Sequence, residues 1–195
     1  WAGQATPALA AWLMRCLQGE GWAVTGLSRP SWRWLAKAWA LATLLALAAF
    51  ILAVPWGWGD LAVSWEDLAA NIGRLGFMQA PTGRGLVLAY LGVNLVLTPV
   101  LLSFFALGEE IGWRGYLLPQ LAGLGRRRAL LLSGFLWSIW HLPLVWVGQA
   151  YPGHRTMGLL LIVPFITAVG VVLGHYRLAS GSILVPAVLH GTLNA

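Results

Sequence analysis

The sequence predicts an all-α fold, a polytopic bundle of transmembrane helices with a polar cavity inside the membrane. Of its 195 residues, 59% are hydrophobic and only 9% are charged, which leaves too little polar surface to cover a water-soluble globule. Uncharged runs recur along the chain, and several approach the roughly 20 residues that cross a hydrocarbon core as a helix. Both observations place the chain in a bilayer.

Five apolar segments are candidates for membrane spans. In order along the chain they are residues 38–55, 86–108, 129–147, 157–174 and a last segment that starts near residue 182 and is still apolar at residue 193. The loop between the first two spans has Trp and Gly at its flanks, and its middle is typical of a short amphipathic or interfacial helix. The sequence therefore predicts five spans and one interfacial helix.

The ends of the sequence suggest a division into two parts. Residues 1–34 are predicted to form an N-terminal interfacial segment or the tail of an earlier span, and residues 35–195 the transmembrane core. The first residue is Trp1 rather than Met, and the apolar pattern continues up to Ala195. We therefore expect a piece of a longer protein, with further spans at one or both ends.

Basic residues predict the orientation in the membrane. The net charge is +6, but the cations are dispersed between apolar segments that fit no nucleic-acid module, so no nucleic acid is expected as a partner. Basic clusters at residues 29–37 and 126–128 fall on one side, which is expected to be cytoplasmic, and acidic residues at 60–67 fall on the other. Glu109 and Glu110 then lie at the cytoplasmic end of the second span. An active site there would face the cytoplasm.

The segment LGEEIGWRG, residues 107–115, places two adjacent carboxylates and an arginine after a long uncharged run. Charged groups at a membrane boundary are costly and are candidates for function. On a helix, Glu110 and Arg114 are four residues apart and share a face, so an ion pair is expected between them. Glu109 points about 100° away and stays free for chemistry. The alternative is a purely structural charge cluster at the end of a span.

Two later apolar segments carry histidines. His141 lies in FLWSIWHLPLVW, where Pro143 removes a helical hydrogen bond and is expected to free the carbonyl of Ile139 beside the histidine. His190 and Asn194 are four residues apart on one helical face. Two donors on one face of a buried helix suit a developing oxyanion. For a lone histidine, the alternative is a packing role.

The three motifs together resemble the CAAX prenyl protease and bacteriocin-processing family of intramembrane proteases, whose pattern is EExxxR, then FxxxH, then HxxxN. The first motif is complete at residues 109–114 and the third at residues 190–194. In the middle motif, Trp137 stands four residues before His141, where the family pattern has phenylalanine. The resemblance covers roughly residues 29–194.

This resemblance implies an endopeptidase that hydrolyses a peptide bond with water activated by Glu109. His141 would hold and polarise the water, while His190 and Asn194 would stabilise the oxyanion. Three further residues would support the site: Glu110, Arg114 and Trp137. The implied partners are the lipid bilayer and a peptide or protein substrate, with or without a lipid group. Dispersed basic loops and an Ala/Leu-rich chain favour a bacterial plasma membrane.

The cofactor and the function class each keep an alternative. No cofactor is predicted, since the sequence has no HExxH pair and the family has been described both as metalloproteases and as metal-independent glutamate enzymes. If a metal such as zinc is bound, Glu109, His141 and His190 are its expected ligands. The rival functions are a non-catalytic bacteriocin-immunity or scaffold membrane protein and a proton or ion relay in a transporter subunit.

Overall fold

The computed structural model describes residues 2–53, 64–74 and 83–195, and the regular structure in these residues is helical. Short 3₁₀ turns at Ala2–Ala5, Ala23–Thr25 and Ala122–Leu124 accompany the longer helices. These longer helices are α1 (Thr6–Gln18), α2 (Trp32–Ala53), α3 (Trp65–Arg74), α4 (Arg84–Gln120), α5 (Arg126–Trp146), α6 (Arg155–Ser180) and α7 (Leu184–Leu193). The predicted all-α fold class is confirmed.

Helices α2, α4, α5 and α6 are long and apolar enough to cross a membrane, which agrees with four of the five predicted spans. The last two residues of the first predicted span lie outside the described residues. The fifth segment forms α7, which has 10 residues and is shorter than the roughly 20 that a span requires. Helix α7 packs against α2 and α4.

Helix α3 occupies the middle of the loop between the first two spans, where an interfacial helix was expected. Its start is specified locally. Ser64 Oγ accepts a hydrogen bond from the backbone N–H of Asp67 at 3.0 Å, and Asp67 Oδ2 accepts one from the backbone N–H of Ser64 at 3.1 Å. This reciprocal pair caps the N-terminus of the helix. Asp60, part of the acidic cluster used to predict orientation, lies outside the described residues.

Helix α4 runs for 37 residues and contains two π-helical turns, at Val93–Leu97 and Trp113–Leu117. The helix extends beyond the uncharged run that ends at residue 108 and continues through the charged motif to Gln120. Glu109 lies roughly three turns, about 16 Å, before that end. The charges do not end the helix because they are buried and paired inside the bundle, as described below. The second π-turn contains Arg114, and such turns are frequent at functional sites.

Glycines allow the helices that carry the three motifs to pack closely. A Cβ atom added at Gly191 of α7 would collide with the backbone of Ser103 in α4. Between α5 and α6, a Cβ atom at Gly170 would lie 2.6 Å from the Cα atom of Gly134. Small residues at such contacts are typical of transmembrane helix pairs, because lipid supplies no hydrophobic force to drive helices together. The first contact brings the first motif close to the third, and the second brings α5, which carries the middle motif, close to α6.

The core lies where α2, α5, α6 and α7 meet. It is formed by six buried side chains: Ala38, Ala42, Trp137, Leu173, Val185 and Leu189. The outward faces of the long helices remain apolar, with large side chains such as Phe104 80% exposed. An apolar exterior of this extent matches a lipid environment.

Candidate active site

The two adjacent glutamates of α4 face different surroundings. Glu109 is 2% exposed and borders a cavity, whereas Glu110 is fully buried. Arg114 Nη1 donates to Glu110 Oε1 at 2.9 Å, so the predicted ion pair four residues apart is present. The helical offset between neighbouring positions therefore separates a paired carboxylate from one that borders a cavity.

Glu110 has a second partner, which lies 80 residues away in sequence. His190 Nδ1 is 2.9 Å from the same oxygen, Oε1, that accepts the hydrogen bond from Arg114. An ionised carboxylate only accepts hydrogen bonds, so Nδ1 of His190 must carry the ring proton. The chain Arg114–Glu110–His190 thus joins α4 to α7 in the buried interior. Sequence analysis assigned His190 to the oxyanion and did not predict this contact.

Arg114 is held from three sides. Besides Glu110, its Nη2 lies 3.5 Å from the carbonyl oxygen of Gly170 in α6, and its guanidinium stacks 4.2 Å from the ring centroid of Trp137 in α5. A planar guanidinium suits both a forked hydrogen-bonding pattern and stacking on an aromatic ring. Arg114 therefore ties α4 to both α5 and α6.

Trp137 contacts three groups of the site described so far: Glu109, Arg114 and His190. Its Nε1–H donates to Glu109 Oε2 at 2.8 Å, and its ring packs edge-to-face on His190 with centroids 5.2 Å apart. The phenylalanine of the family pattern could make the ring contacts but has no hydrogen to donate. The exchange noted in the sequence thus adds a hydrogen bond to Glu109.

His141 is oriented by the backbone of its own helix. Its Nδ1 lies 2.9 Å from the carbonyl oxygen of Trp137, and a carbonyl only accepts, so Nδ1 carries the proton. The neutral ring then presents the lone pair of Nε2 on its other side. Nδ1 reaches the carbonyl four residues back because helical side chains lean towards the preceding turn. That Pro143 frees the Ile139 carbonyl stays a prediction.

Asn194 lies at the end of α7, one turn beyond His190. Its backbone N–H donates to the His190 carbonyl at 3.1 Å, which keeps both residues on one helical face, and its side chain is exposed. A cavity of about 650 Å³ is lined by all four predicted catalytic residues: Glu109, His141, His190 and Asn194. The structure thus gathers the three sequence motifs around one space.

The cavity extends towards one end of the bundle. Gln149 and Tyr151, from the loop between α5 and α6, contribute to its lining. That loop lies opposite the end where α5 begins and α6 finishes, which is marked by a 3.0 Å contact between Arg126 Nη2 and His175 Nδ1. The cavity therefore leads away from the arginine-rich end of the bundle.

Comparison with known proteins places this arrangement in a family. The model of the type II CAAX prenyl endopeptidase Rce1-like family matches residues 87–195, more than half of the chain, and this region includes all three motifs. The chain belongs to this family. Together with the four long apolar helices, membership identifies an integral membrane protein of a protease family, as the sequence predicted.

One relative shows how far the likeness extends. CAAX prenyl protease 2 of Methanococcus maripaludis is 42% identical to this chain over 52 residues. The matched region covers 26% of this chain and 19% of that relative. No solved structure matches the chain.

The candidate metal ligands are not gathered into one cluster among the described residues. Within residues 2–53, 64–74 and 83–195, no three His, Cys, Asp or Glu side chains come together so that they could hold a metal ion. Glu109, His141 and His190, the expected set, border the same cavity without converging on one point. In this Rce1-like chain, Oε2 of Glu109 is also engaged by Trp137. The described side chains are therefore not gathered as a three-ligand zinc centre would require.

Three residues around the site were not predicted from the sequence. The carbonyl of Gly170 faces Arg114, and Gln149 and Tyr151 line the cavity. For Gly170 a signal was present, since Gly170 and Gly174 form the small-xxx-small pattern GVVLG of a closely packed transmembrane helix. For the loop residues, no local pattern distinguishes them from an ordinary polar turn.

Proposed function

We propose that this protein is an intramembrane endopeptidase in which Glu109 activates water for peptide-bond hydrolysis. The observation that carries the proposal is that the two adjacent carboxylates have different surroundings. Glu110 is neutralised by Arg114 and His190, while Glu109 borders the cavity with one oxygen, Oε1, not engaged by Trp137. A charged group in the membrane interior is costly, and a catalytic role explains why Glu109 is retained there.

In the proposed mechanism, a water molecule lies between Glu109 Oε1 and Nε2 of His141. His141 accepts one hydrogen bond from this water and orients it, because its Nδ1 proton is committed to the Trp137 carbonyl. Glu109 takes the other proton as the oxygen attacks the substrate carbonyl carbon. The protonated carboxyl group then passes that proton to the leaving amine, so one residue serves as base and then as acid.

His190 and Asn194 are proposed to stabilise the tetrahedral oxyanion. Since Nδ1 of His190 donates to Glu110, a donor at Nε2 requires the second ring proton, and the imidazolium form is the one that acts. Glu110 lies beside the imidazolium and compensates its charge. Asn194 supplies an amide N–H₂ from the next turn of α7, at the edge of the cavity.

The substrate is proposed to be a peptide or protein with a prenylated C-terminal cysteine. This follows the name of the relative, CAAX prenyl protease 2, and the membrane depth of the cavity. We place the protein in a bacterial plasma membrane with its arginine-rich end in the cytoplasm. Glu109 then lies about 16 Å from that end of α4, because the helix continues to Gln120. In this orientation the cavity leads away from the cytoplasmic side, on which the sequence predicted the active site.

The test is cleavage of quenched-fluorescent peptides, with and without a farnesylated cysteine, by the full-length protein in detergent. Glu109→Gln and His190→Ala are expected to lose cleavage by at least about a hundredfold. Glu66→Gln, an exposed carboxylate on α3 outside the cavity, serves as the matched control and is expected to retain it. Substantial cleavage by folded Glu109→Gln would refute the assignment of the base.

A chelator arm tests the proposal that no metal takes part. Activity is expected to survive prolonged treatment with a zinc chelator, because the three candidate ligands do not converge. Loss of activity that is restored specifically by zinc would contradict this part of the proposal. Dependence on the farnesyl group would support the proposed substrate class, and equal cleavage without it would argue against that class.

A further inference from the structure

Trp137 occupies the position where the family pattern has phenylalanine, and its indole N–H donates to the proposed base. We propose that this N–H is a positioning donor: it fixes the Glu109 carboxylate so that one oxygen faces the reacting water. The inference rests on the proposed function and adds to it a specific role for the residue that departs from the motif pattern. It concerns the orientation of Glu109 and not contact with the substrate.

The indole ring is itself held firmly in place. Trp137 is 1% exposed and belongs to the buried core formed by α2, α5, α6 and α7. The Arg114 guanidinium stacks on its face at 4.2 Å, and His141 and His190 pack edge-to-face with it, with centroids 5.0 and 5.2 Å away. A ring enclosed on these sides cannot rotate without displacing them, so the direction of its N–H is fixed.

Glu109 depends on this donor. In the described part of the chain, the 2.8 Å bond from Trp137 Nε1 is the hydrogen bond recorded for its carboxylate. A glutamate side chain has three rotatable bonds, and a buried carboxylate is costly unless a donor compensates for lost water. The N–H therefore both stabilises the charged group and selects its orientation. With Oε2 engaged, Oε1 is the oxygen left for water.

His141 does not share this dependence. Its Nδ1 bonds the backbone carbonyl of Trp137, which any residue at position 137 would supply. Changes to the indole side chain should therefore affect Glu109 selectively and leave the tautomer of His141 unaltered. An experiment can therefore remove the indole N–H donor while it keeps the shape of the ring and the backbone carbonyl of residue 137.

The test replaces Trp137 with 3-benzothienylalanine, in which sulfur takes the place of the indole N–H and the ring shape is kept. The same exchange at Trp113 is the matched control, because the buried Nε1 of Trp113 has no hydrogen-bond partner among the described residues. Cleavage of the farnesylated peptide is measured per amount of folded protein, determined by size-exclusion chromatography. We expect kcat to fall by about 10- to 100-fold at position 137, the range for a hydrogen bond to a charged group, with KM within about twofold.

Each outcome decides the proposal. A fall in kcat at position 137 with no comparable change at position 113 supports it, since a general packing defect would reduce the folded amount instead. Unchanged kcat at position 137, or an equal fall at both positions, overturns it. If the benzothienyl protein does not fold, Trp137→Phe, which restores the family residue, gives the same readout with the same criteria. Cleavage by folded Glu109→Gln would refute the proposed function itself. If Glu109→Gln is inactive but the protein changed at position 137 keeps a normal kcat, only this inference is refuted.

Discussion

Replacing Arg114 with methionine tests how the buried charges are held together. Methionine fills a similar space but removes the guanidinium that pairs with Glu110 at 2.9 Å. Both side chains are 0% exposed, so water cannot take over the lost interaction. Glu110 would then remain buried with His190 as its recorded partner. The expected result is a folded state of much lower stability.

The magnitude follows from the contacts that are lost. Removing one partner of a buried ion pair costs about 3–5 kcal/mol, because the remaining charge is uncompensated. The hydrogen bond to Glu110, about 1.5–3 kcal/mol, and the stacking on Trp137, about 2 kcal/mol when desolvated, are parts of that figure and are not added to it. For a chain of this size the loss corresponds to a fall in Tm of roughly 6–20 °C.

The assay is thermal unfolding of the full-length protein in one detergent, followed by tryptophan fluorescence. The double variant Glu110→Gln/Arg114→Met removes both charges and keeps an amide oxygen that can accept from His190 Nδ1. It is expected to regain most of the lost stability, because two matched neutral groups avoid the uncompensated charge. Arg127→Met, at an exposed arginine on the first turn of α5, is the control and should change Tm by no more than about 2 °C.

Two results would refute this reasoning. One is a Tm of Arg114→Met equal to that of the wild type, which would mean that Glu110 is not charged or not buried in the membrane. The other is a double variant no more stable than the single one, which would mean that the loss comes from packing on Trp137 and not from the charge on Glu110.

Two further predictions concern how the site is built. Gly191→Ala is expected to lower Tm by several degrees, because the added Cβ atom would meet the backbone of Ser103. Gly92 lies within a helix and faces open space, so Gly92→Ala should be neutral or stabilising by up to about 1 kcal/mol. Arg15→Ala should lower Tm and expose α1 to limited proteolysis, since the buried Arg15 guanidinium donates to the Gly115 carbonyl at 3.0 Å beside the second π-turn of α4.

Matched comparisons decide both of these predictions. Equal Tm values for the two glycine variants would show that α7 can move away from α4 at no cost. For Arg15, the comparison is Arg29→Ala, an exposed arginine near the start of α2. Proteolysis of α1 at the same rate in both arginine variants would argue against a bracing role for Arg15.

Several features of the site were predictable from sequence because they are local. The ion pair between Glu110 and Arg114 follows from four-residue spacing on a helix, and the different direction of Glu109 follows from the same geometry. The placement of His190 and Asn194 on one face has the same origin. The three-motif resemblance supplied the grouping of these residues, which spacing alone does not give.

Other features could not be predicted because they depend on contacts between helices. The bond from Trp137 to Glu109 joins residues 28 positions apart, and the bond from His190 to Glu110 joins residues 80 positions apart. The sequence did not predict how far α4 extends, for a related reason. A run of charges marks the edge of a span only when water must solvate it, and here the partners are other helices.

The sequence by itself determined a bundle of apolar helices, the identity of the polar residues within it and the direction of each side chain on its own helix. These follow from hydrophobic length and from the fixed rotation of about 100° per residue. The tertiary structure alone decided which glutamate is neutralised and which is held by Trp137 at the edge of the cavity. That choice depends on where glycine contacts let α4, α5, α6 and α7 approach, because a buried charge is stabilised only by partners within hydrogen-bonding distance.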